Sequence, residues 1–425
     1  MAQVDINGRA YRVPARPTVV FTVDGGDPRY FDDALQRGLM PCLSAVLAKG
    51  GTYARGLGHM PSLTNPNNMS IVTGVAPGTH GIPGNHVLGT DGQEVQLTDA
   101  SFVRAPTIHA CMQAAGARVL AVSAKEKLRR LLGAGDVPSV SAERADECGA
   151  VVYGIDNVAA LVGRAQPGIY DWDLSAYAME IGLAVHRRVG LDLLYVSLTD
   201  YVQHKEAPGG ALADAFFERF DTLLGAYVGE GFVVGITADH GMNTKPNIVY
   251  LEELLDAAGV RDVHVVLPIT DPYVVHHGAL GSFAWVHLPA NQLTRAREAL
   301  VGMVGIEEVY TREEAAVIYE HPPDRIGDLS VGADASTALG TAEHKHDLSQ
   351  LGSTLRSHGG RHEQIVPIIV SEPLSAAYAS RLQAGVQNSD VHDVVLNGLA
   401  GLAISCGGRR ASCRRRARPR PHRRS

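Results

Sequence analysis

Seven residues of this chain carry side chains that could hold metal ions or attack an electrophile, and most stand where a strand-like run ends. Asp239 and His240 close the apolar, β-branched stretch 232–238, and Gly241 lets the backbone turn behind them. Asp24 closes a similar stretch, 17–23, ahead of Gly25 and Gly26. Asp200 and His204 follow the run 191–198, and a spacing of four brings both side chains to one side of a helical turn. His358 precedes Gly359 and Gly360, just before the apolar run 363–370. Thr64 lies in the Pro/Asn-rich segment Pro61-Ser62-Leu63-Thr64-Asn65-Pro66-Asn67-Asn68, ahead of an expected helix over 68–73.

Each residue alone has a plain structural reading: an Asp at a strand end caps the next helix, and a lone His sits on the surface. Four strand-adjacent positions that all carry ligand-type side chains favour a metal centre instead. Carboxylate plus imidazole is the donor mixture suited to zinc or manganese. Six such groups over-supply one ion, so two metals are the natural count. Two nearby cations suit an in-line displacement at phosphorus. That reaction needs a nucleophile, and a threonine hydroxyl serves only when a metal lowers its pKa. Thr64 at a helix start, where free N–H groups and the helix dipole favour anions, is the candidate; a simple cap has the same geometry.

The elements that must position these residues alternate. Strands are expected at 17–23, 118–123, 150–153, 191–198, 232–238 and 363–370, and helices at 35–49, 107–115, 174–189 and 210–228. Residues 77–86 are too rich in Gly and Pro for an element and read as an ordered loop. The alternation implies an α/β fold, a layered α/β/α core around a mainly parallel sheet. In open sheets of this kind ligands bind beyond the carboxyl ends of the strands. From 263 to 350 the alternation weakens, with strands at 283–288 and 305–310 and a helix at 291–303. This stretch reads as an inserted cap subdomain between the core segments 15–262 and 351–405.

Composition bounds the partners. The 425 residues are 45% apolar, enough for a sizeable core, and carry a formal charge of −7. Nine arginines and no acidic residue lie in 409–425, so the rest of the chain carries −16. An acidic body argues against nucleic-acid binding by the fold. Binding through the arginine tail is a remote alternative, and residues 406–425 read as a basic, disordered extension. Five widely spaced cysteines without a Cys-x-x-Cys pair read as neither a disulfide framework nor a zinc-thiolate site. With no visible signal peptide and no apolar run long enough to span a membrane, a cytoplasmic protein is expected. Homodimerisation stays open.

The set Asp24, Thr64, Asp200-x-x-x-His204, Asp239-His240 and His358 resembles the alkaline phosphatase superfamily in ligand type and order, over about residues 17 to 375. Thr64, Thr79-His80-Gly81-Ile82, Asn85 and Thr237-Ala238-Asp239-His240-Gly241-Met242 resemble its nucleotide pyrophosphatase/phosphodiesterase branch. Thr64-Asn65-Pro66-Asn67-Asn68 and Ser123-Ala124-Lys125-Glu126-Lys127 are similar to the phosphonoacetate hydrolase family. A sulfatase would carry Cys or Ser at 64 and Arg at 68, where this chain has Thr64 and Asn68.

The resemblance implies two zinc ions, with manganese or iron as substitutes. It assigns one to Asp200, His204 and His358, and the other to Asp24, Asp239, His240 and the Thr64 oxygen. His362 is a rival to His358, which is preferred for the two glycines after it. Asn85 and the backbone N–H near Thr64 would cradle the phosphoryl oxygens, and Lys125 and Lys127 would hold the carboxylate of a small phosphonate. From sequence alone those lysines read equally well as solvated residues at a helix start. The implied activity is C–P hydrolysis through a phosphothreonine on Thr64. The alternative is a phosphodiesterase or nucleotide pyrophosphatase. His276, His277, His344 and His346 read as structural or surface groups.

Overall fold

The computed structural model describes residues 2–148, 152–269, 279–349, 354–401 and 410–412. Seven strands form the central sheet: β1 (Thr18–Thr22), β2 (Thr52–Leu57), β3 (Val119–Ser123), β4 (Ser139–Ser141), β5 (Leu193–Ser197), β6 (Val233–Thr237) and β7 (Ile365–Val370). Their spatial order is β2-β7-β6-β1-β5-β3-β4. The run from β6 to β4 is parallel, and β7 lies antiparallel to both of its neighbours.

Because strand side chains alternate between faces, the apolar runs feed two separate cores. Val19, Phe21, Leu194, Val196, Val234 and Ile236 pack with the helices Leu174–Val189 and Ala211–Gly229 on one face. Val20, Leu193, Tyr195 and Val233 pack with Thr64–Thr73, Ile108–Ala114 and Val391–Asn397 on the other. The result is the expected α/β/α layering around a mostly parallel sheet.

Several local expectations change. In place of one helix over 35–49 there are two, Pro28–Gln36 and Pro41–Ala48. Gly38 between them takes φ +76, and Pro41, which cannot donate inside a helix, sits in the first turn of the second. Val152 and Tyr153 lie in a turn, with 149–151 outside the described residues, and the edge strand is Ser139–Ser141 instead. Within 77–86, Pro77–His80 forms one helical turn. Cys42 and Cys148 are free, and Cys111 is disulfide-bonded.

Beyond β6 the chain builds a second sheet. His264–Val266, Phe283–His287, Leu329–Ala333 and Ile306–Thr311 lie in that spatial order, all antiparallel, over a core of their own. Asn247–Tyr250 pairs parallel with Thr337–Gly340 at its flank. From the arginine-rich end, residues 410–412 pair with Gln3–Asp5; the rest of that end and His276 and His277 are outside the described residues. No helix among the described residues is long and apolar enough to cross a membrane.

Candidate metal centre

The register of the parallel strands builds the site. Thr237, Thr22 and Ser197 are direct partners at the carboxyl ends of β6, β1 and β5, and Ser197 pairs with Ser123 of β3. The residues just past those ends are therefore delivered side by side: Asp239, Asp24, Asp200 and Lys125. All three carboxylates are buried. Asp200 precedes the single helical turn Tyr201–Lys205, which carries His204 to it: His204 Nε2 is 3.0 Å from Asp200 Oδ2.

His358 arrives from the other end of the chain on the segment before β7. Its Nε2 lies 3.9 Å from Asp200 Oδ2. Gly359, at φ +122, makes the turn that follows, and a side chain there would press on the backbone of Ser282 and Phe283. The rival His362 faces away, bonded to Glu307 on a partly exposed surface. His346 accepts from the Thr341 N–H, a structural role, and His344 lies on an exposed turn.

The three imidazoles are anchored alike. Nδ1–H donates to a backbone carbonyl in each: His204 to Arg356 at 2.7 Å, His240 to Gly241 at 2.9 Å and His358 to Ser62 at 2.7 Å. Nδ1–H anchored in this way turns Nε2, the usual ligating atom, toward the carboxylates. His240 Nε2 stands 3.3 Å from Asp24 Oδ1 and 3.8 Å from Asp239 Oδ1. A lone pair facing a carboxylate is repulsive unless a proton or a cation lies between them.

The electrostatics point the same way. Burial, followed by the nearby Asp24 charge, pushes the Asp239 carboxyl up. Burial alone would lower His240, but Asp239, Asp24 and Asp200 outweigh it and raise the ring to about 9. Burial opposes ionisation of Asp200 as well, yet Lys125 and His204 hold it below the usual carboxylate range. Both oxygens of Asp24 are buried, with His240 Nε2 at 3.3 Å from Oδ1 and Lys125 Nζ at 3.8 Å from Oδ2. Buried carboxylates without matching positive charge carry a desolvation cost that bound cations would offset. The residues present therefore fit a pair of divalent cations.

Among the described residues, two groups bring ligand atoms within 4.8 Å of one another: Asp200, His204 and His358, and Asp24, Asp200 and His240. The first is the trio the superfamily resemblance implies. In the second, Asp200 stands where the resemblance put Asp239. Asp239 Oδ1 accepts from the backbone N–H of Gly25 and His240, and Oδ2 from Asn68 Nδ2.

Thr64 opens the buried helix Thr64–Thr73, and its Oγ1 lies 3.4 Å from His240 Nε2. The Asn65 N–H donates to Asn85 Oδ1 at 3.2 Å, which fixes the amide and leaves Nδ2 without a partner among the described residues. Lys125 Nζ contacts Asp200 Oδ1 at 2.9 Å and Asp24 Oδ2 at 3.8 Å. Lys125 is extended just before the helix Glu126–Leu132, with Lys127 inside its first turn, and both line a cavity of about 460 Å³ that reaches Asp200. Tyr170, Tyr201 and Ile169 form part of its wall.

Sequence reasoning missed the support beneath Asp239. Thr22 and Tyr195 hydroxyls are 2.8 Å apart, Tyr195 donates to Asn68 Oδ1 at 2.6 Å, and Asn68 Nδ2 donates to Asp239 Oδ2 at 3.1 Å. Only the position of Asn68, one helical turn after Thr64, hinted at this.

Fold and centre together define an alkaline phosphatase-like hydrolase. Residues 18–362 match the family Type I phosphodiesterase / nucleotide pyrophosphatase, and the chain belongs to that family. Two structures of phosphonoacetate hydrolase from Sinorhizobium meliloti 1021 are similar to it over 93% of this chain and 98% of theirs, with a TM-score of 0.86. The complex with phosphonoformate is 42% identical and that with phosphonoacetate 41%. Murine ectonucleotide pyrophosphatase / phosphodiesterase 5 shares the fold at 16% identity and TM-score 0.61, over 91% of this chain and 96% of its own.

Proposed function

We propose that this chain hydrolyses the carbon–phosphorus bond of phosphonoacetate to acetate and phosphate. The observation that carries the reading is the cavity that Lys125 and Lys127 line and that reaches Asp200 of the carboxylate cluster, which Lys125 also contacts. It accords with the similarity to phosphonoacetate hydrolase.

Asp200, His204 and His358 would hold one zinc ion, and Asp24, Asp239, His240 and Thr64 Oγ1 the other. Bound there, the two ions supply the positive charge that lowers the Thr64 hydroxyl pKa and offsets charge on the phosphoryl oxygens. Asn85 Nδ2 and the helix N-terminus orient the phosphonate, and Lys125 and Lys127 hold its carboxylate. Thr64 Oγ1, its proton released to solvent, attacks phosphorus in line with the departing carbon. As the O–P bond forms and the C–P bond breaks, the electron pair moves onto the acetate carbon. It delocalises into the carboxylate as an enolate, which the lysines stabilise, and protonation by water gives acetate. Water then attacks the phosphothreonine, the bond to Thr64 Oγ1 breaks, Thr64 regains a proton, and phosphate leaves.

A second reading, phosphodiester hydrolysis, draws on Tyr170, Tyr201 and Ile169, which present apolar surface suited to an aromatic leaving group. Phosphorus and proton NMR of the zinc-loaded protein with phosphonoacetate decides between them. The first reading expects phosphate and acetate in equal amounts. An unchanged phosphonate signal beside turnover of an aryl phosphodiester would replace it with the second.

A further inference from the structure

Lys245 and Glu363 form a fully buried ion pair, Nζ to Oε1 at 2.8 Å, between residues 118 apart in the chain. Neither touches the carboxylate cluster, and nothing in the reaction described above uses them. Burying two charges is costly, and an apolar pair of similar volume commonly serves a fold as well or better. The pair therefore calls for a role other than stability.

Its hydrogen bonds show what it joins. Glu363 Oε2 accepts the Gly360 N–H at 3.0 Å, and the Glu363 backbone carbonyl accepts the Gly241 N–H at 2.7 Å. Gly360 belongs to the turn after His358, and Gly241 follows Asp239 and His240. The same turn grips the segment before Thr64: Ser62 Oγ donates to the Gly360 carbonyl at 2.8 Å, and Ser62 N–H to the Gly359 carbonyl at 3.0 Å. Lys245 Nζ also donates to the Ala335 carbonyl at 3.0 Å, beyond the last strand of the second sheet, and Asn243 Nδ2 donates to Glu363 Oε1. Glu363 thus ties together the two loops bearing His240 and His358, its carboxylate holding the Gly360 N–H and Asn243 Nδ2 and its backbone carbonyl the Gly241 N–H, and through Ser62 it reaches the approach to Thr64. The lysine fixes that carboxylate and links it to the second sheet.

We propose that Lys245 and Glu363 are positioning residues that lock the His358 turn and the Asp239-His240 loop into metal-binding geometry. Partners that orient ligands from outside the coordination sphere commonly change metal affinity by about 10- to 100-fold. The inference rests on the reading of Asp239, His240 and His358 as ligands.

Two double variants separate position from stability. Lys245→Met/Glu363→Met removes both charges and the acceptor for Gly360 N–H. Lys245→Met/Glu363→Gln removes both charges but keeps an amide oxygen for it. Zinc affinity is read by competition with a chromogenic chelator, and folding by thermal unfolding of the metal-free proteins. The expected result is two metal-free variants that unfold near the wild-type temperature, with zinc affinity at least about tenfold weaker in the Met/Met protein and largely restored in the Met/Gln protein. Equal, wild-type affinity in both would overturn the proposal, as would failure of both to fold, which would assign the pair to stability. Wild-type protein that binds no zinc would instead overturn the reading of the centre.

Discussion

The rings of His240 and His358 lie face to face, centroids 3.5 Å apart and 9° from parallel. Two charged imidazoles cannot share that stack. In accord with this, the carboxylates raise His240, while burial and then the His240 charge push His358 well down. Neutral rings with Nε2 on cations resolve the conflict, so metal binding should stabilise the fold. Zinc at 100 times its dissociation constant should add about 2.7 kcal/mol per site. Thermal unfolding with zinc and with a chelator checks this, and a midpoint indifferent to both would contradict it.

Asn68 is the link between Tyr195 and Asp239. Asn68→Ala leaves a buried carboxylate oxygen and a buried tyrosine hydroxyl short of partners, at a cost of about 1–3 kcal/mol for each group left unsatisfied. Zinc affinity should fall with stability, by about tenfold or more. Urea unfolding and chelator competition on the same preparation measure both, and a variant weakened in neither would remove Asn68 from the centre.

The two lysines should separate kinetically. Lys125 Nζ touches Asp200 and Asp24, and Lys127 lines the same cavity. Lys127→Met should raise KM for phosphonoacetate about tenfold and leave zinc binding intact. Lys125→Met should lower kcat and disturb zinc binding as well. Steady-state kinetics with zinc titrations would refute this division if both variants behaved alike.

Burial pushes His59, His321 and His392 down to about 4 from an ordinary value of 6.5, against smaller raising effects of Asp390, the Met60 carbonyl and the Ile71 carbonyl. The unfolded chain then binds those protons more tightly than the folded one. Their stabilising contribution is complete above pH about 6.5 and drains as pH falls toward 4, by about 1.4 kcal/mol per pH unit for each ring. Urea midpoints between pH 7.5 and 5 should fall accordingly. His392→Asn, which keeps a donor for the Ile71 carbonyl, should make the decline shallower; an unchanged slope would remove His392 from the set.

The parallel core was legible because Val, Ile and Phe runs ending in Asp encode both the strand and what stands at its tip. Asp24, Asp200 and Asp239 needed only their neighbours in sequence. Other features depend on partners far along the chain. Ser139–Ser141 has little apolar content and is a strand because Val119–Ser123 lies beside it. Val152 is apolar and buried, but it is packed in a turn rather than paired. The reversed direction of β7, the Tyr195-Asn68-Asp239 chain and the Lys245–Glu363 pair all arise from tertiary approach, which local periodicity does not encode. Leu35, Leu39, Leu43 and Leu47 kept helical spacing across a break that Gly38 and Pro41 already marked.

The most direct test of the account is phosphate release from phosphonoacetate by the zinc-loaded wild type, set beside Thr64→Ala, chelator-treated protein and an aryl phosphodiester substrate. The account predicts one phosphate and one acetate per phosphonoacetate. It also predicts a loss of at least about 10³-fold in Thr64→Ala, no turnover after chelation, and preference for the phosphonate over the diester. Undiminished turnover by Thr64→Ala or by the chelated protein would contradict it.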